Sequence, residues 1–99
     1  MNNNYVVSEL SQILHPIFKK YDVNKAIIFG SVAKGTNTSK SDIDILVDSK
    51  LRGLKFVGLL EDVREAVDCD IDMFDYAHIT PNSTIINEIN NTGIVIYEK

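Results

Sequence analysis

Gly30-Ser31-Val32-Ala33-Lys34-Gly35-Thr36-Asn37-Thr38-Ser39-Lys40-Ser41-Asp42-Ile43-Asp44-Ile45-Leu46-Val47 decides how the chain folds. Just upstream, Ala26-Ile27-Ile28-Phe29 is a short continuous apolar run, the pattern of a strand covered on both faces. It stops at Gly30, where the backbone can turn tightly and a ligand can approach closely. If Ser31, Val32 and Ala33 begin a helical turn, their amides point outward without intrahelical partners, an arrangement that attracts phosphate. Downstream, strand alternation sends Asp42 and Asp44 to one face and Ile43, Ile45 and Val47 to the other. The two carboxylates then sit roughly 6.5 to 7 Å apart at their Cα atoms. Like charges so placed repel, by about 4 kcal/mol at 4 Å and an effective dielectric of 20. A divalent cation reverses that sign, and oxygen-only ligands suit Mg²⁺, which normally shares its sphere with substrate phosphates.

The ten residues from Val32 to Ser41 are short for a crossover between parallel strands, so an antiparallel return is expected. Such a return places the end of the first strand and the start of the second at one sheet edge, with Gly30 and Ser31 beside Asp42 and Asp44. Two rival phosphate motifs fail here. Gly35 is followed by Thr36 rather than by the lysine of a P-loop, and no G-x-G-x-x-G occurs. Lys34 reads either as a solvated loop charge or as a phosphate contact.

Glycine-serine, ten residues, then Asp-x-Asp resembles the signature of the nucleotidyltransferase superfamily that shares its fold with the palm of DNA polymerase β. At this size the chain looks like the minimal nucleotidyltransferases, which include the antitoxin partners of HEPN-domain toxins. The resemblance implies an α/β domain with a mixed sheet flanked by helices, Gly30 and Ser31 at the nucleotide phosphates, and a basic residue at Lys34 assisting them. It further implies two Mg²⁺ ions at Asp42 and Asp44, ATP as donor, and a third metal-binding acid on a later strand. Asp72 in Ile71-Asp72-Met73-Phe74 takes that place, with Asp70 as the alternative. In the antitoxin subgroup the resemblance implies AMP transfer to a tyrosine of a HEPN-domain RNase toxin. Two other readings stand beside it: an antitoxin that neutralises by covering its toxin, and a catalytic subunit that modifies a small molecule with a helper chain.

Composition narrows the field. At 99 residues the chain suits one domain spanning 1–99, and a hydrophobic fraction of 44% supports a core. A net charge of -4 argues against direct nucleic-acid binding as the main role, although local basic spots can exist. Cys69 is the sole cysteine, which excludes an internal disulfide and a cysteine-based zinc site. No apolar run approaches the ~20 residues of a membrane span, and no leader is evident, so a soluble cytoplasmic protein with no membrane partner is expected.

The remaining elements follow from periodicity. Apolar residues from Val6 to Tyr21 recur at helical steps, and Pro16 among them predicts a kink or two short helices. A second amphipathic helix is expected from Gly53 onward, carrying Phe56, Leu60, Val63 and Val67 on its apolar face. Asp70-Ile71-Asp72-Met73-Phe74 reads as a third strand, with Asp75, on the opposite parity from Asp72, as a turn residue. Tyr76 and His78 fall in a surface loop, and His15 reads as a packing or solvated residue. Thr80 is expected to cap a third helix begun by Pro81, Ile85, Ile86 and Ile89 to be its buried stripe, and Gly93 to end it in a left-handed cap. Ile94-Val95-Ile96-Tyr97 then forms a last strand or edge tail.

Overall fold

The computed structural model describes residues 6–35, 42–67, 70–80 and 83–99. The expectations for the N-terminal asparagines, the polar connector after Gly35, Cys69 and Pro81 lie outside these residues. A four-stranded mixed sheet in the order β3-β2-β1-β4 is built from β1 (Lys25–Phe29), β2 (Ile43–Asp48), β3 (Ile71–Asp75) and β4 (Ile94–Glu98). β1 is antiparallel to both β2 and β4, and β2 is parallel to β3. The short connector therefore makes the antiparallel return that its length requires. The parallel step from β2 to β3 has room for helix α3 (Leu54–Ala66) as its crossover.

Strand parity divides the core in two. On one face Ala26, Ile28, Ile43, Ile45, Val47 and Ile71 pack with Leu10, Leu14 and Phe18 of α1 (Val7–Lys20) and Leu59 and Val63 of α3. On the other face Ile27, Phe29 and Leu46 form a smaller cluster with Phe74, Ile79, Ile85 and Ile89. Those two isoleucines belong to α4 (Thr84–Thr92), so the face that carries Phe29 and Leu46 is roofed by this helix together with Ile79.

Three local expectations are corrected. Pro16 does not divide the first helix, which runs unbroken from Val7 to Lys20. Leu10, Leu14 and Phe18 are fully buried on its inner side while Pro16 is exposed, so burial of the stripe outweighs one lost backbone bond. The cap of α4 is Ser83 rather than Thr80, with the Ser83 hydroxyl accepting from the Ile86 amide at 3.3 Å. Gly93 is not left-handed, with φ -65° and ψ 139°. Glycine is needed there for space: a Cβ would lie 2.6 Å from the Ile89 carbonyl oxygen and 3.0 Å from Ile27 Cγ2.

Candidate active site

The site is assembled at the edge where β1 ends and β2 and β3 begin. Phe29, the last residue of β1, pairs with Asp44 across the antiparallel ladder. Gly30 follows with φ 74° and ψ -152°, a conformation open only to glycine, and α2 (Ser31–Lys34) starts at once. The turn also brings the backbone hard against a carboxylate: a Cβ on Gly30 would collide with Asp44 Oδ2. Thus the glycine of the opening stretch serves twice, by its dihedral angles and by its lack of a side chain. Ser31 is half-buried at the start of α2, while Lys34 is exposed at its end, with its amide closing the turn onto the Gly30 carbonyl at 3.2 Å.

Parallel pairing sets the acids side by side. Asp44 is the register partner of Asp72, and the Ile43 amide donates to the Asp70 carbonyl at 2.9 Å. Continuing this register one step back sets Asp42 level with Asp70. Four carboxylates of equal parity therefore occupy neighbouring positions on one sheet face, on the side roofed by α4. Asp70 and Asp72 differ in their neighbours. The Asp72 carboxylate bears on both Asp42 and Asp44, whereas the charge of Asp70 bears on Asp42. As the register partner of Asp44, Asp72 is the more central of the two.

Burial, then the charges of Asp72, Glu88 and Asp42, push the Asp44 carboxyl up to about 6. Desolvation and the nearby Asp72 and Asp70 raise Asp42 above the usual carboxylate range. Among the described residues no lysine, arginine or histidine forms an ion pair with any of the four aspartates.

Glu88 was not legible in the sequence. On α4 it flanks the seat formed by Ile85 and Ile89, which rests on the cluster of Phe29 and Leu46, one the cross-strand partner of Asp44 and the other two residues along β2. A half-buried Glu88 is thereby brought over the acids. Only the seating of α4 reveals it; a period-3.6 reading marks Glu88 merely as polar.

The donor set is all oxygen and all anionic, which fits a hard divalent cation such as Mg²⁺. Among the described residues no group of three His, Cys, Asp or Glu side chains is placed to hold a metal ion. A cation held there by one or two carboxylates would need further oxygen ligands, such as substrate phosphates.

A small α/β domain with a phosphate-type turn facing paired strand aspartates defines the nucleotidyltransferase class, and the comparisons agree. Residues 12–99 match the family Polymerase beta, Nucleotidyltransferase, and the chain belongs to it. Two relatives from Methanocaldococcus jannaschii, both provisionally named protein adenylyltransferases, are each 34% identical to this chain. One aligns over 83% of this chain and 92% of its own length, the other over 78% and 80%. A crystal structure of a toxin-antitoxin with AMP-PNP shares the fold at TM-score 0.74 and 22% identity, over 90% of this chain and 73% of that one. A tri-AMPylated HEPN toxin in complex with MNT antitoxin, from Shewanella oneidensis, contains a chain similar at TM-score 0.68 and 18% identity, over 95% and 74%. The protein is thus an enzyme of the nucleotidyltransferase class. Among its described residues no helix is long and apolar enough to cross a membrane.

Proposed function

We propose that this nucleotidyltransferase moves AMP from ATP to a tyrosine hydroxyl of a HEPN-domain toxin and so acts as its antitoxin. The observation that carries the reading is the Asp44–Asp72 register pair with Asp42 alongside and Gly30 pressed against Asp44. It gains support from relatives named for protein adenylyl transfer and from the similar fold of a chain crystallised with an AMPylated HEPN toxin.

In this mechanism Gly30 and the amides that open α2 receive the donor phosphates, and Lys34 adds a cation at the end of the same turn. Asp42, Asp44 and Asp72 would hold two Mg²⁺ ions, which when bound offset the carboxylate charge and stabilise the attacking and leaving oxygens. Asp72 lies on β3, on the far side of Asp44 from the phosphate turn, and therefore faces the acceptor. A tyrosine hydroxyl with a pKa near 10 attacks poorly at neutral pH, so removal of its proton by the Asp72 carboxylate is the chain's own contribution to the nucleophile. The tyrosine oxygen bonds to the α-phosphorus as the bond from that phosphorus to the bridging oxygen breaks. Pyrophosphate departs with the electron pair of the broken bond. A protein acceptor is supported by the relatives named for protein adenylyl transfer.

Incubating a purified HEPN-domain protein with this enzyme and Mg-ATP, followed by intact-mass spectrometry, tests the reading. Addition of the mass of one or more AMP groups is the expected result. An unmodified acceptor that nevertheless remains inhibited in complex would replace transfer with neutralisation by binding alone.

A further inference from the structure

The opposite end of the sheet carries a second organised region, which the transfer chemistry does not use. Asp75 closes β3 and is only 2% exposed. Its carboxylate accepts from the Ser49 amide at 3.3 Å, from the Ser49 hydroxyl, and from the Ala77 amide at 3.0 Å. The Ser49 hydroxyl oxygen in turn accepts from the Leu51 amide at 3.1 Å. This buried clip fixes both the connector leaving β2 and the 3₁₀ turn Tyr76–His78. Phe56 of α3 and His78 meet edge to face at 6.5 Å, which ties the start of α3 to the same turn.

What the clip holds is unusual for this chain. Lys50 has φ 59°, a left-handed conformation that a non-glycine residue adopts only when its surroundings enforce it. The twelve residues from Ser49 to Leu60 contain Lys50, Arg52 and Lys55 and no carboxylate, in a protein of net charge -4. All three cations are exposed, and among the described residues none of them is ion-paired. Between them Leu54 is 87% exposed, and Val57, one helical turn on, is 48% exposed. A connector and helix start that present cations around a bare leucine are complementary to an acidic surface with an apolar recess. Polyanionic nucleic acid fits less well, since leucine and valine offer bases no stacking face and the protein as a whole is acidic.

We propose that the segment from Ser49 to Val57 is a docking surface for an acidic, apolar-centred patch of the acceptor protein, an inference that rests on the acceptor being a protein. The clip preorganises this surface, so little ordering is required when the partner binds. The site of transfer and the site of grip then lie at opposite ends of the central strands.

The test compares wild type with Lys50→Glu/Arg52→Glu/Lys55→Glu, the milder triple glutamine variant, and Leu54→Ser. Each is titrated by calorimetry with Mg-ATP and, separately, with a purified HEPN-domain protein that wild type adenylates. All variants are expected to bind Mg-ATP as wild type does, which also reports an intact fold. Affinity for the acceptor is expected to fall at least ~100-fold in the charge reversal and ~10-fold in the other two. The loss should shrink as salt rises above about 0.15 M, because the attraction is exposed to screening. Equal acceptor affinity in all four proteins overturns the docking surface and leaves the proposed function standing. Failure of wild type to bind or modify any HEPN-domain protein removes both. Binding of a single-stranded RNA oligonucleotide that the charge reversal abolishes, with acceptor affinity unchanged, reassigns the patch to nucleic acid.

Discussion

Asp72 and Asp75 stand three residues apart on one strand and do opposite things. Asp75 is buried and satisfied by three donors from Ser49 and Ala77, so its charge is fully used within the fold. Asp72 is exposed and lies among acids, with Asp44 as register partner and no cation paired to it among the described residues. The difference follows from parity: an odd offset along a strand changes the face, and the faces have different neighbours. A carboxylate that completes a hydrogen-bond network supports structure, whereas carboxylates that repel one another cost stability where they stand.

The largest expected effect comes from breaking the satisfied end. Asp75→Ala leaves two amides and a hydroxyl without their buried acceptor and should cost about 3 kcal/mol in urea denaturation. Asp72→Ala should cost less than about 0.5 kcal/mol in the same metal-free experiment. Equal losses would erase the distinction between the two ends.

Gly30→Ala comes next. It forces a side chain into φ 74° and against the Asp44 carboxylate, so about 2 kcal/mol of stability should be lost, with a marked weakening of Mg-ATP binding by calorimetry. An alanine variant with wild-type affinity would remove the turn from the phosphate site.

The smallest effect sharpens the acid end. Asp44 has a folded-state pKa of about 6 against an ordinary 3.8, so the folded protein holds the extra proton between those values. The stabilisation is complete below about pH 4 and is lost as pH rises through 6. The metal-free protein should therefore be more stable at pH 5 than at pH 7, by about 1 kcal/mol once solvent screening is allowed for. Asp44→Asn should flatten that slope and be the more stable protein at pH 7. A profile rising from pH 5 to 7 in the wild type, unchanged by the substitution, would contradict the repulsion.

Much of this site was legible in sequence because it is local. Period-two alternation put Asp42 and Asp44 on one face, and the length of the connector gave the antiparallel return that brings Gly30 to them. The difference between Asp70 and Asp72 was not legible, since a shift of two residues preserves parity and only the parallel register, with the Ile43 amide on the Asp70 carbonyl, sets Asp72 opposite Asp44. Glu88 and Ser49 were invisible for a related reason: their roles arise where α4 seats and where the β2 connector meets β3, contacts between segments far apart in the chain. Gly93 was read correctly as a stop but for the wrong cause, because crowding by Ile89 and Ile27 replaces the left-handed cap.

The most direct test of the central claim is Asp72→Asn, which keeps size and removes charge. Mg-ATP affinity by calorimetry should remain within a few-fold of wild type, held by the Gly30 turn with Asp42 and Asp44. Intact-mass spectrometry of the HEPN-domain acceptor should show AMP added by wild type and little or none by the variant. Transfer by the variant at the wild-type rate would contradict the assignment of Asp72 and pass its role to Asp70.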